Sequence, residues 1–313
     1  MSPSKTFVDG ETNGDMNGHL NGDMNGDLNY DGVDAIPKKT SSAPWKTQKT
    51  QKGLEVFDLA GKVFIVTGGG RGLGLTMAEA AVEAGATVYC LDRLPHPAVE
   101  FYEAQKRTTP EVGGALHYGR IDVRDDANLD EVISSIAATH QRLDGLIAAA
   151  GIQQVTSALD YRVDDICKMM DINYTGVFLA ARAVAKQMIQ YNCHGSLVLV
   201  ASISGLIANR GLVSPVYNSS KAAVIQLARN LAMEWGKYGL RVNSLCPGHI
   251  LTPMVKQNFE DDPSLQKIFE NENMLGRLSE PEEFRGAGLF LLSNASSFMT
   301  GSSLVIDGGH TAW

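Results

Sequence analysis

Val63-Phe64-Ile65-Val66-Thr67-Gly68-Gly69-Gly70-Arg71-Gly72-Leu73-Gly74 decides how this chain folds. The first four residues form a short apolar run of β-branched and aromatic type, which reads as a strand buried on both faces, as in a parallel sheet. The glycines read as a tight turn, and Leu73, Met77, Ala80, Ala81 and Ala84 then give the following helix a face of mostly small side chains. Strand, glycine turn and helix N-terminus together make an anion site. Bare backbone N–H groups and the helix dipole face a pyrophosphate that any β-carbon would hold off. Thr67, Gly68, Arg71, Gly72, Leu73 and Gly74 are therefore candidate nucleotide contacts.

Further strands are expected at Thr87–Leu91, Ala115–Ile121, Gly145–Ala149, Ser196–Ala201, Leu240–Leu245 and Ser303–Asp307. Helices are expected around Leu129–Thr139, Ile172–Gln190, Pro215–Gly236 and Pro281–Leu292. Strands alternating with helices predict an α/β chain with a single doubly wound, seven-stranded parallel sheet, a Rossmann fold with helices on both faces. Asp122-Val123 and Ala149-Ala150-Gly151 fall at carboxyl ends of strands, where such sheets bind ligands. Asp92, ending the second strand, is placed to accept hydrogen bonds from the adenosine ribose and to repel a 2′-phosphate, which favours NAD. Arg71 and Arg93 could pair with that phosphate and leave NADP open.

The chain has 313 residues, 44% of them hydrophobic and 20% charged, with a formal net charge of -8. That is enough to bury a full core, and the acidic balance argues against nucleic acid or an anionic membrane as partner. The four cysteines, Cys90, Cys167, Cys193 and Cys246, show no CxxC spacing and read as reduced core thiols of a cytosolic protein, with no metal and no disulfide. No signal peptide and no membrane-spanning run is evident, so a soluble cytoplasmic protein is expected. Residues 1–55 differ from the rest. Asn13-Gly14-Asp15-Met16-Asn17-Gly18-His19-Leu20 is nearly repeated by the eight residues from Asn21. Asn-Gly pairs favour turns and the apolar residues are sparse, so a disordered tail without a catalytic role is expected there, with the folded domain at 56–313.

Tyr217 and Lys221 stand four residues apart on an expected helix and so share one face. A free phenol titrates near ~10 and accepts a proton poorly at neutral pH unless a neighbouring positive charge stabilises its phenolate. With Thr67-Gly-x-x-x-Gly72-x-Gly74, Asn173, Ser202 and Pro247-Gly248-x-x-x-Thr252, the Tyr217-x-x-x-Lys221 pair resembles the short-chain dehydrogenase/reductase family, over the chain from about Leu54 to Trp313. Ser202 through Lys221 and the ending Asp307-Gly-Gly-His-Thr-Ala-Trp313 are most similar to fungal sorbose reductases and D-arabinitol dehydrogenases.

The resemblance implies that Tyr217 is the acid/base, that Lys221 lowers its pKa and holds the ribose, that Ser202 hydrogen-bonds the reacting oxygen, and that Asn173 holds a water passing protons to Lys221. It also implies that Asp122 and Val123 contact adenine and that Ile250 and Thr252, after Pro247 and Gly248, meet the carboxamide. Ala149, a cofactor-side position, departs from the pattern: the family usually has Asn-Ala-Gly where this chain has Ala149-Ala150-Gly151, and a bracing amide is missing. The leading reading is an NAD(P)-dependent oxidoreductase interconverting a secondary alcohol and a ketone, either a polyol and its ketose or a secondary metabolite. A cofactor-binding sensor or scaffold without redox activity, and an isomerase or cyclase using the cofactor as structure, are the alternatives. The segment between Ile250 and Met274, with Met254, Phe259 and Phe269 beside Lys256 and Asn258, is the expected substrate loop, and His249 is expected to line the pocket. Val177, Phe178, Ala181 and Val184 on one long helix, and Val224, Leu227, Ala228 and Leu231 on the next, exceed one apolar stripe. They predict a homodimer or homotetramer through these helices, as the family resemblance also implies.

Overall fold

The computed structural model describes residues 53–107, 113–252, 255–256, 259–260 and 263–313. Most of the expected tail, together with Met254 and Asn258, lies outside the described residues. A short turn at Glu55–Phe57 leads into the domain.

All five residues of strand β1 (Val63–Thr67) are buried, and they divide by parity: Val63 and Ile65 enter one hydrophobic cluster, Phe64 and Val66 another. This is how a strand with helices on both faces uses a continuous apolar run. Then come α1 (Gly72–Glu83), β2 (Thr87–Asp92), α2 (Val99–Arg107), β3 (Ala115–Arg120), α3 (Asp126–His140), β4 (Gly145–Ala148), α4 (Val163–Met170), α5 (Gly176–Gln190), β5 (Gly195–Val200), α6 (Pro215–Trp235), β6 (Leu240–Pro247), α7 (Ser264–Glu272), α8 (Arg285–Leu292) and β7 (Ser303–Ile306). The seven strands form one parallel sheet in the order β3-β2-β1-β4-β5-β6-β7. The cluster holding Val63 and Ile65 contains the buried sides of α3, α5 and α6, and the one holding Phe64 and Val66 contains those of α1, α2 and α8. No helix among the described residues is long and apolar enough to cross a membrane.

Three expectations are corrected. The long helix begins earlier than Ile172: α4 runs through a wider π-turn, Asp171–Thr175, directly into α5. Cys90 and Cys246 are buried, but Cys193 is half-buried and Cys167 exposed, so the cysteines are not all core thiols. The apolar residues counted as surplus are covered within the chain: Val177, Ala181, Val184, Val224, Leu227, Ala228 and Leu231 are all buried, and Phe178 is half-buried. The outer sides are mostly polar, with Arg182 and Lys186 of α5 paired to Asp126 and Asp130 of α3 and α6 exposing Gln226, Arg229 and Asn230 beside the exposed Met233.

Candidate active site

β1 has β2 on one side and β4 on the other, so the chain direction across the sheet reverses there and a crevice opens at the carboxyl ends of β1 and β4. The glycine turn sits in that crevice. Gly68 has φ +68°, and a β-carbon on it would lie 2.7 Å from the Ala150 amide nitrogen. One on Gly74 would lie 2.4 Å from the Gly68 carbonyl oxygen, so the helix packs on the turn only because both are glycine. At Gly72, φ +57°, a β-carbon would meet nothing within 4 Å, so the turn is open in front of the α1 N-terminus, where Leu73 is half-buried and Arg71 exposed. Asp92 is held beside the turn. Its carboxylate accepts from the Gly70 and Leu94 amides, both at 3.2 Å, while Arg93 is exposed. These residues fit a dinucleotide: a bare amide cradle at a helix N-terminus, with a carboxylate at the end of the next strand. A bound NAD(P) would supply the hydride donor or acceptor at this crevice.

Farther along, Asp122 is clasped by Arg124, with a shortest contact of 2.6 Å, and that hydrogen-bonded pairing holds its carboxyl below the usual range. Its carboxylate is thus spent on Arg124 rather than held open. Val123 is buried against the start of α5, where a β-carbon on Gly176 would lie 2.6 Å from Val123 Cγ2. On the other flank, Pro247 ends β6 and Gly248 rests on the C-terminal segment, its missing β-carbon 2.7 Å from Asp307 Cα. Ile250 is buried and bridged to Ser279, and its carbonyl takes the Thr252 amide at 2.7 Å.

The catalytic candidates come from three elements. Tyr217 and Lys221 lie on the first turns of α6, which Pro215 starts at a position where a missing N–H costs nothing. Ser202 follows β5; its hydroxyl accepts from the Ser204 amide at 3.1 Å and lies near enough to the Tyr217 phenol to favour its ionised form. The turn behind it presses on α6, since a β-carbon on Gly205 would lie 2.6 Å from the Lys221 carbonyl carbon. Asn173 sits in the π-turn, fully buried. Its amide accepts from the Ile152 N–H and donates to the Ile152 carbonyl, both at 2.9 Å, and donates to Ser220 Oγ at 3.1 Å. Ser220 in turn donates to the Tyr217 carbonyl at 2.7 Å. Both Asn173 donors are therefore used in joining the loop after β4 to the Tyr217 helix, and only spare acceptor capacity on Oδ1 is left for a water. Around Gly151, a β-carbon would lie 3.4 Å from Asn173 Oδ1 and 3.5 Å from Lys221 Nζ, so these groups face one point. Gly205 and Ser220 had no role assigned from the sequence, and Gly151 only its place at the ligand-binding end of a strand. Ser220 stands inside the Tyr217-x-x-x-Lys221 stretch itself, yet only packing against Asn173 reveals its part.

Burial pushes the Tyr217 phenol up, and the Ser202 hydroxyl offsets this only in part. Burial also brings Lys221 down to about 8, its ammonium donating to the Val200 carbonyl at 2.9 Å and lying 5.7 Å from the Tyr217 ring centre. Tyr217 is held protonated at neutral pH, the form that gives a proton to a ketone, with Ser202 as second hydrogen-bonding group for the same oxygen. Among the described residues one buried hydroxyl has no partner, Thr67 Oγ1, and the Thr67 carbonyl takes the amide of Ala149, the position that lacks the family's side-chain amide, at 3.0 Å.

A family model described as enoyl-(acyl carrier protein) reductase matches residues 68–311. A short chain dehydrogenases/reductase, notP', of Aspergillus versicolor is 40% identical, the match covering 90% of this chain and 98% of that protein. The D-arabinitol 2-dehydrogenase [ribulose-forming] of Scheffersomyces stipitis is 36% identical over 82% of this chain and 96% of its own. Among solved structures, a gluconate 5-dehydrogenase from Burkholderia cenocepacia in complex with NADP and tartrate superposes with a TM-score of 0.75 at 31% identity, covering 84% of this chain and 100% of that one. On fold, site and similarity together, the chain belongs to the short-chain dehydrogenase/reductase family of NAD(P)-dependent oxidoreductases acting on alcohol groups.

Proposed function

We propose that this enzyme interconverts a polyol and its ketose, with NAD preferred over NADP and Tyr217 moving the proton. The observation behind this reading is the convergence of Tyr217, Ser202 and Lys221 on the crevice that also holds the glycine turn. In ketone reduction the Tyr217 phenol donates to the carbonyl oxygen, Ser202 steadies the developing alkoxide, and the Lys221 ammonium stabilises the phenolate left behind. Asn173, through Ser220, fixes the turn of α6 on which Tyr217 stands. The polyol assignment is supported by the D-arabinitol 2-dehydrogenase relative. The NAD preference is supported by Asp92 beside the glycine turn, and the NADP-bound relative favours the opposite choice.

A homo-oligomer is part of the reading, though supported by a different surface from the one expected. Val305 on the sheet-edge strand β7 is 39% exposed and Phe298 fully so, leaving apolar groups open at that edge. We place the enzyme in the cytoplasm, in keeping with its free cysteines, and regard the segment before residue 56 as dispensable for turnover. The deciding experiment follows NADH and NADPH absorbance against D-arabinitol, galactitol, D-ribulose and bulky aromatic ketones. Turnover of the polyol and ketose members with NAD(H) supports the reading, and turnover of the bulky ketones alone would replace the substrate class.

A further inference from the structure

Helix α7 has a small core of its own. Phe269, Leu212 and Leu278 are buried together, with Leu251, Phe259 and Ile268 packed against them, apart from both clusters that flank the sheet. It reaches the loop that follows Ser202, where a β-carbon on Gly211 would lie 3.8 Å from Ile268 Cγ2. It is tied to the cofactor side of the crevice through one ring. His249, directly after Pro247-Gly248, stacks on Phe269 with centroids 3.9 Å apart and planes at 2°. Its edge meets His310 at 5.1 Å and 88°. His310 Nε2 returns to α7, 3.9 Å from Glu272 Oε2.

The far end of this chain of contacts is fixed. Asp307 caps the C-terminal turn by accepting from the Gly309 amide at 2.9 Å, the Thr311 amide at 2.8 Å and the Thr311 hydroxyl at 2.6 Å. The same turn supports Gly248 and, through the Gly308 carbonyl, takes the Leu275 amide at 3.1 Å. Burial and the neighbouring His310 bring His249 down to about 4, so it stacks as a neutral ring. Two buried nitrogens in this contact, His249 Nε2 and His310 Nδ1, have no hydrogen-bond partner. A phenylalanine at 249 would offer the same face without that cost. Imidazole thus gives a latch that holds α7 less firmly than the space allows.

We propose that His249 is a positioning residue: its ring latches α7, the cover of the substrate crevice, to the Pro247–Gly248 loop and the C-terminal turn, so that closure over substrate and the shape of the nicotinamide pocket change together. This rests on the reading that α7 lies over the substrate. Hydrogen exchange on the full-length protein, with and without NADH, tests it without any turnover, so a blank substrate panel and a failed latch are separate results. Peptides covering 264–272 are expected to exchange at least tenfold faster in His249→Ala and in Phe269→Leu, with no further gain in the double variant and the β1–β5 strands unchanged. NADH affinity should weaken several-fold in the same variants, and His249→Phe should protect α7 as well as wild type or better. Unchanged α7 exchange, additive effects in the double variant, or equal loosening by His249→Phe would overturn the proposal. If His249→Ala does not fold, Phe269→Leu against His249→Phe decides alone.

Discussion

Ser202, just after β5, stands beside the phenol of Tyr217 on the first turns of α6, and its hydroxyl draws that phenol down against the burial that pushes it up. The pair presents both hydroxyls to a single oxygen, while burial holds Tyr217 as a proton donor in the neutral range.

This sets different pH dependences for the two directions. Reduction needs the phenol protonated and alcohol oxidation needs it ionised. Between pH 6 and 9.5, kcat/KM for oxidation is expected to climb while that for reduction holds, because burial keeps the phenol above its ordinary range near ~10. Parallel profiles in both directions would separate Tyr217 from the transferred proton.

Lys221 sacrifices stability for position. Its folded pKa of about 8 lies below the ordinary lysine value of 10.5, so burying the ammonium costs roughly 3 kcal/mol. Lys221→Met removes that cost and leaves the Val200 carbonyl unpaired, at about 1 kcal/mol. The variant should be inactive yet melt a few degrees higher than wild type at pH 7. Because the unfolded lysine binds the extra proton between about pH 8 and 10.5, wild-type stability from this group rises through that window and the variant's advantage shrinks. A variant less stable than wild type at pH 7 would contradict the assignment.

The orphaned Thr67 hydroxyl predicts a gain from restoring the missing amide. Ala149→Asn should stabilise the protein by about 1 kcal/mol, read as a higher urea midpoint, without loss of kcat. An unchanged or lower midpoint would mean that an amide at 149 cannot reach Thr67.

Asp92 should set the choice of cofactor. Asp92→Ser removes the charge that opposes a 2′-phosphate, with Arg71 and Arg93 left in place, so the NADH to NADPH ratio of kcat/KM should fall at least tenfold. Because Asp92 also braces Gly70 and Leu94, both absolute values should drop, and only the ratio is diagnostic.

Much of this was legible in the sequence where a residue type by itself restricts the backbone or the chemistry. Gly68, Gly72 and Gly74 announce the phosphate turn because two take positive φ and two meet backbone at their missing β-carbons. The β1 run shows its double burial through lack of alternation. Helices α2, α4 and α7 were missed for a shared reason: α2 buries Phe101 and Ala104, α4 only Met169 and α7 only Phe269, too few to write a period into the sequence. The apolar residues on two sides of α5 and α6 read as surplus in the sequence, but burial within the chain already accounts for them, so they do not by themselves mark an interface. Asn173 was legible as a site residue, but its bonds to Ile152 and Ser220 belong to packing between segments far apart in sequence.

The central claim is that Tyr217 transfers the proton, and Tyr217→Phe tests it most directly. The ring still packs and Lys221 keeps its bond to Val200, so NADH affinity, followed by fluorescence titration, should stay within about threefold. Reduction of the best ketose of the substrate panel should fall at least a thousandfold. Reduction within tenfold of wild type, with NADH binding intact, would contradict the account.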